Sequence, residues 1–147
     1  MRTERGLTMR APPLTIYRLA AAVERWPELL PHYRSVRVLE ERGDRRLVEM
    51  AAWRDGIPLR WWAEQVLYPD EPRIVFRHLR GPTRGMDVEW SFRPGPDGTY
   101  VAIRHELTLG WPLVGELVAD RIIGRLFVDN IAGKTLRRIK ALAEAQA

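Results

Sequence analysis

No cysteine occurs in the 147 residues, which excludes a disulfide framework, a thiolate metal site and a cysteine nucleophile. Serine is nearly absent as well: Ser35 and Ser91 stand alone, and neither sits in a Gly-x-Ser-x-Gly elbow. Lysine is scarce, with only Lys134 and Lys140 among 24 basic residues, so arginine carries the net charge of +5. The arginines are interspersed with Asp and Glu rather than gathered into a run. That dispersal argues against a nucleic-acid surface and leaves at most transient contact with an anionic membrane surface. No apolar stretch approaches the roughly 18 residues of a membrane span. The opening Met1-Arg2-Thr3-Glu4-Arg5 also lacks the apolar core of a signal peptide, so a cytoplasmic protein is expected. His32, His78 and His105 show no metal-binding spacing, and no phosphate loop or dinucleotide fingerprint is present. Neither a metal nor a cofactor is expected.

What is present is enough apolar material for a core. At 46% hydrophobic residues, the chain suits a single domain spanning residues 1–147. Its last quarter, residues 111–145, reads as one long amphipathic helix introduced by Gly110-Trp111-Pro112. Ile123, Phe127 and Ile131 form an apolar line at spacing four, which drifts on through Thr135, Ile139 and Leu142. Gly115, Gly124 and Gly133 interrupt this pattern, each at up to ~1 kcal/mol relative to Ala, so close packing or a cavity beneath the helix is expected.

Earlier in the chain, residues 7–10 suggest a short strand, 14–23 a helix, and the proline-bracketed stretch 26–33 a second helical turn. Six alternating segments follow at 35–40, 45–54, 58–68, 73–79, 84–93 and 99–109. Most are joined by hairpin-sized turns such as Asp55-Gly56, which predicts an antiparallel meander. Period-two alternation sends neighbours to opposite faces. Trp61, Gln65, Phe76, His78, Met86, Trp90 and His105 then share the face turned toward the helix, together with Arg54 at the end of its strand. A mostly apolar inner face with a few convergent polar groups suits a small-molecule pocket. Within it, His105 could serve as acid, base or hydrogen-bond anchor. Arg54 could hold an enolate or carboxylate by a charge-assisted bond. A core role for each of these side chains remains open on sequence grounds.

Several loose motifs, in a particular order, carry a family resemblance. They are Ala11-Pro12 with Ile16-Tyr17-Arg18-Leu19-Ala20, Trp26-Pro27, Leu30-Pro31-His32-Tyr33, Arg73-Ile74-Val75-Phe76, Met86 with Trp90, Val101-Ile103-His105, and the helix end at 136–144. In these the chain resembles the polyketide cyclase/dehydrase and START-related superfamily, also called SRPBCC, which includes the coenzyme Q-binding START-domain proteins. The resemblance implies an α+β helix-grip fold, in which a curved antiparallel sheet wraps a long C-terminal helix around a hydrophobic cavity. It also implies that an aromatase/cyclase would carry an inward serine and arginine in the strand containing Trp61. Ala63 and Gln65 stand at those positions here.

The expected function is binding of a hydrophobic small molecule, such as a lipid, an isoprenoid quinone or a polyketide-like aromatic. Arg54, Trp61, Gln65, Phe76, His78, Met86, Trp90, His105, Ile123 and Phe127 are the expected ligand-binding residues. The alternative is a polyketide aromatase/cyclase or dehydratase with Arg54 and His105 as candidate catalytic residues. A further alternative is an interaction module for a ribosome or membrane surface. The cavity mouth is expected either at Gly81-Pro82 or near Tyr33.

Overall fold

The computed structural model describes residues 2–107 and 130–146. Seven strands form one antiparallel sheet: β1 (Arg2–Met9), β2 (Tyr33–Arg42), β3 (Arg45–Arg54), β4 (Ile57–Tyr68), β5 (Arg73–Arg80), β6 (Asp87–Gly95) and β7 (Gly98–Glu106). Their spatial order is β1-β7-β6-β5-β4-β3-β2, so β2 to β7 are a meander and β1 closes onto its last strand. Helices α1 (Pro13–Ala21) and α2 (Trp26–Leu29), linked by a 3-10 turn at Val23–Arg25, carry the chain from one sheet edge to the other. Helix α3 (Gly133–Gln146) packs on β1 and α1. This is the α+β helix-grip architecture. The expected helix over 111–145 is met from Gly133 onward; its earlier part, including Ile123 and Phe127, lies outside the described residues.

Local chemistry accounts for these elements. Pro12 caps α1 and Pro13 opens it, where a fixed φ suits the helix and a missing N–H is no loss. Asp55 and Gly56 both take positive φ, 48° and 87°, which gives the β3–β4 hairpin a turn whose twist matches its strands. Register shifts in β2 and near Trp62 in β4 bend the sheet, as bulges do. Gly98 holds φ at +131°, and a Cβ there would collide with the Met9 carbonyl oxygen. That close approach lets the end of β1 seat on the β6–β7 hairpin, where the Thr99 hydroxyl donates to the Ala11 carbonyl at 2.7 Å.

Alternation places the core correctly. Val48, Met50, Ala52, Trp61, Ala63, Ile74, Phe76, Val88, Trp90, Phe92, Val101 and Ile103 are all buried beneath the helices. Ile131, Thr135 and Ile139 are 3%, 2% and 1% exposed, so the drifting line on the helix is its buried stripe. The helical turn expected over 26–33 ends at Leu29, because Tyr33 already pairs with Ala52 as the start of β2. Two further strands differ most from expectation. β1 is longer than residues 7–10, because backbone pairing with β7 overrides its weak alternation. β6 begins at Asp87 rather than 84, because Thr83 to Met86 fold back on the end of β5, with Gly85 N–H donating to the His78 carbonyl and Met86 N–H to that of Thr83, both at 2.9 Å.

One polar anchor ties α1 to the sheet. Arg46 donates from Nε to Gln65 Oε1 at 2.8 Å, from Nη2 to the Ala21 carbonyl at 2.6 Å, and from Nη1 to Glu24 at 2.8 Å. Gln65 Nε2 donates to the same Ala21 carbonyl at 3.2 Å. Arg46→Met is expected to lower stability by about 2–3 kcal/mol, since it removes charge-assisted bonds and leaves the fully buried Gln65 oxygen without a donor. Urea unfolding checks this; a loss below about 0.5 kcal/mol, the range of ordinary surface changes, would show that the anchor is ornamental.

Candidate functional site

Between the sheet and α3 lies a cavity of about 50 Å³ walled mainly by rings. Trp61 and Trp90 come from β4 and β6, Tyr33 from β2, Trp26 from α2 and Phe76 from β5. The rings meet in succession: Trp26 lies 5.0 Å from Tyr33 and 6.1 Å from Trp90, Tyr33 lies 6.1 Å from Trp61, and Trp61 stacks on His78 at 5.8 Å with only 4° between planes. Edge-on and offset contacts of this kind make a stiff wall. Met50, Val88 and Ile103 fill between them, and Ile131, Ala132 and Thr135 close the α3 side.

Four polar side chains reach this lining: Tyr33, His78, His105 and Thr135. His78 Nδ1 lies 2.6 Å from Thr83 Oγ1, a bond made possible by the folded 81–86 loop. Burial drives the His78 pKa down to about 3, with a further push from His105 nearby. Burial likewise lowers His105 to about 4. Both imidazoles are therefore neutral at pH 7, each with one donor and one acceptor nitrogen. His105 Nδ1 is buried with no hydrogen-bond partner among the described residues. A different arrangement holds Thr135: its hydroxyl donates to the Ile131 carbonyl at 2.8 Å and lies 2.9 Å from His32 Nε2, with the Tyr33 phenol nearby. Burial pushes the Tyr33 hydroxyl above its usual range, so it too stays neutral. His32 is lowered to about 4 by burial and by Lys134. It also borders an open surface groove with Lys134, Arg137 and Arg138, so the His32–Thr135 contact lies between that groove and the cavity.

The structure thus brings together Trp61, Phe76, His78, Trp90 and His105. Met86 is fully buried at the end of the loop below His78 but is not among the lining side chains. Gln65 is engaged by Arg46 and the Ala21 carbonyl instead of facing the cavity. Arg54 sits at the end of β3 beside the Asp55 turn, its Nε buried without a partner among the described residues. Asp55 accepts from Asn130 at 2.8 Å and Lys134 at 3.1 Å, bonds that hold its carboxyl below the usual range. Ile123 and Phe127 lie outside the described residues. Tyr33 and Thr135 were the polar members that patterning alone does not reveal; Thr135 on the buried stripe of an otherwise apolar helix face was the available signal. Among the described residues no group of three or more His, Asp or Glu side chains could hold a metal ion, and no helix is long and apolar enough to cross a membrane.

Against known proteins, the family described as polyketide cyclase / dehydrase and lipid transport matches residues 9–133. The granaticin polyketide synthase bifunctional cyclase/dehydratase of Streptomyces violaceoruber is 36% identical over 111 residues, covering 74% of this chain and 34% of that protein. The corresponding actinorhodin bifunctional cyclase/dehydratase of Streptomyces coelicolor is 31% identical over 140 residues, covering 94% of this chain and 42% of the relative. The chain therefore spans well under half the length of either relative. Among solved structures, the Zhui aromatase/cyclase from a Streptomyces species superposes with a TM-score of 0.84 at 20% identity, covering 99% of this chain and 94% of that one. At that identity the likeness is one of fold.

Proposed function

The chain belongs to the polyketide cyclase/dehydrase and lipid transport family, and we propose that it binds a poly-β-ketone or similar hydrophobic chain in the ring-walled cavity and acts on it as a cyclase/dehydratase. The observation that carries this reading is His105, a neutral imidazole that lines an otherwise largely apolar cavity wall. In an aldol closure the carbon between two carbonyls gives up a proton to base, and the resulting enolate carbon bonds to a second carbonyl carbon of the same chain. That carbonyl oxygen then takes up a proton. Loss of a further α-proton and of the new hydroxyl releases one water and leaves a double bond. An enclosing wall contributes by holding the chain bent, with its reacting carbons close. A fixed hydrogen-bonding group contributes at the oxygen where charge gathers; we assign that role to His105, and Arg54, outside the lining at the end of β3, is proposed for the polar end of a longer ligand.

The hollow of about 50 Å³ has room for a few waters, far below the ~300–1,000 Å³ of common ligand pockets. Ligand entry must therefore displace wall side chains, and tryptophan fluorescence should report it. Native mass spectrometry of the freshly purified protein, joined to turnover of an activated poly-β-ketone thioester, tests the reading. The expected result is a bound polyketone and an aromatic product formed above the spontaneous rate with loss of water. The absence of both binding and acceleration would end the proposal.

A second reading, carriage of a lipid, quinone or aromatic without turnover, is favoured by Ala63 and Gln65. Resemblance to aromatase/cyclases calls for serine and arginine there, and this chain has a methyl group and an amide engaged by Arg46. Stoichiometric ligand without product formation would select it.

A further inference from the structure

β1 pairs with β7 so that Thr3 stands directly opposite His105, with Arg5 opposite Ile103. Directly opposed residues of an antiparallel pair share a face, with Cβ atoms about 4.5–5.5 Å apart, which lets a threonine hydroxyl and an imidazole meet. Both side chains carry a buried polar atom with no hydrogen-bond partner among the described residues: Oγ1 of Thr3 and Nδ1 of His105. These are two orphaned groups on one cross-strand pair, each able to supply what the other lacks. Left unmade, each carries the desolvation penalty of a buried unpaired polar group. A small rotation of the hydroxyl, or one buried water between them, removes both penalties.

Direction follows from counting protons. If Nδ1 carried the ring proton and donated to Thr3, the threonine's own proton would be left buried with nowhere to go. If Thr3 donates to an unprotonated Nδ1, the hydroxyl proton and the nitrogen lone pair are both satisfied. A neutral imidazole then carries its single proton on Nε2.

We propose that Thr3 is a positioning residue for His105: its hydroxyl donates to Nδ1, directly or through one water, and holds the ring in the Nε2–H form, which offers the cavity a hydrogen-bond donor. The proposal rests on the cyclase reading only for its catalytic consequence, which is a fixed N–H aimed at a ligand carbonyl oxygen. The tautomer itself does not depend on that reading. Such a donor stabilises the developing oxyanion without surrendering its proton.

Long-range proton–nitrogen NMR correlation on 15N-labelled protein at pH 7 decides it, with His105→Gln identifying the signals. The wild type is expected to show His105 as Nε2–H. Thr3→Val should release this preference into a mixture or the opposite form, and Thr3→Ser should restore it. A wild-type Nδ1–H ring, or a tautomer unchanged in Thr3→Val, would overturn the proposal. In turnover, Thr3→Val is expected to lower kcat about tenfold with KM kept, and Thr3→Ser to recover it. A tautomer that shifts while kcat stays fixed supports the positioning and counts instead against a catalytic His105.

Discussion

His105→Leu should lose about 100- to 1,000-fold in kcat on an activated poly-β-ketone, the range found when one preorganised oxyanion donor is removed. Little else should change. Leucine fills much of the imidazole volume, and loss of the Nδ1 acceptor leaves a single Thr3 hydroxyl to be rehydrated, at a cost of about 1 kcal/mol. Thermal unfolding should therefore shift by no more than a few degrees, so the lost activity reports chemistry and not folding. His105→Gln sharpens the test. A glutamine amide keeps an N–H donor with no titratable proton, so it should retain turnover well above the leucine variant if His105 acts as a neutral donor. If proton abstraction were its task, glutamine and leucine would fail alike. Equal activity of wild type and His105→Leu would remove His105 from the mechanism altogether.

That so much of this wall is legible in the sequence follows from the rigidity of strand periodicity. A period of two leaves no freedom once one residue of a strand is assigned a face, and charged Glu49, Arg60 and Glu64 mark the outer faces of β3 and β4. Trp61, Phe76, His78, Trp90 and His105 then converge without any knowledge of distance. Gln65 shows where this reasoning stops. Its face was right, since it is fully buried, but its partners Arg46 and the Ala21 carbonyl come from 19 and 44 residues away in sequence. Periodicity says which way a side chain points and nothing of what waits there. The same limit hides Thr3, which belongs to an edge strand whose outer positions are exposed and whose inward row is interrupted by the charged Arg5. Only pairing with β7 reveals that it faces His105. Thr135 lay between these cases: its place on the helix stripe was readable, whereas its contacts with His32 and Tyr33 depend on how α3 crosses the sheet.

Acid should destabilise the protein well before its carboxylates protonate. His78 and His105 are depressed to about 3 and about 4, chiefly by burial, against about 6.5 for an unfolded histidine. Between these values the unfolded chain binds protons that the folded chain refuses, so stability is complete above about pH 6.5 and falls as pH drops toward 4. Each such histidine contributes a slope of up to ~1.4 kcal/mol per pH unit, and two together remove roughly 4–5 kcal/mol between pH 6 and pH 4. Against a usual total of about 5–15 kcal/mol, that is enough to bring the fold near its midpoint. His32, lowered by its partial burial and by Lys134, acts in the same direction with a smaller share because solvent reaches it. Asp55 and Glu144, lowered by their own hydrogen bonds, add their loss only once pH approaches the carboxylate range. Urea unfolding at pH 7, 6, 5 and 4 measures the slope, and His78→Gln or His105→Gln should each remove about half of it above pH 4.5. A midpoint that holds steady from pH 7 to pH 4.5 would contradict two buried neutral imidazoles. If the slope is found, the decline of activity in acid has a structural origin: protonating either histidine places a charge in the ring-walled cavity, and the wall must open to hydrate it.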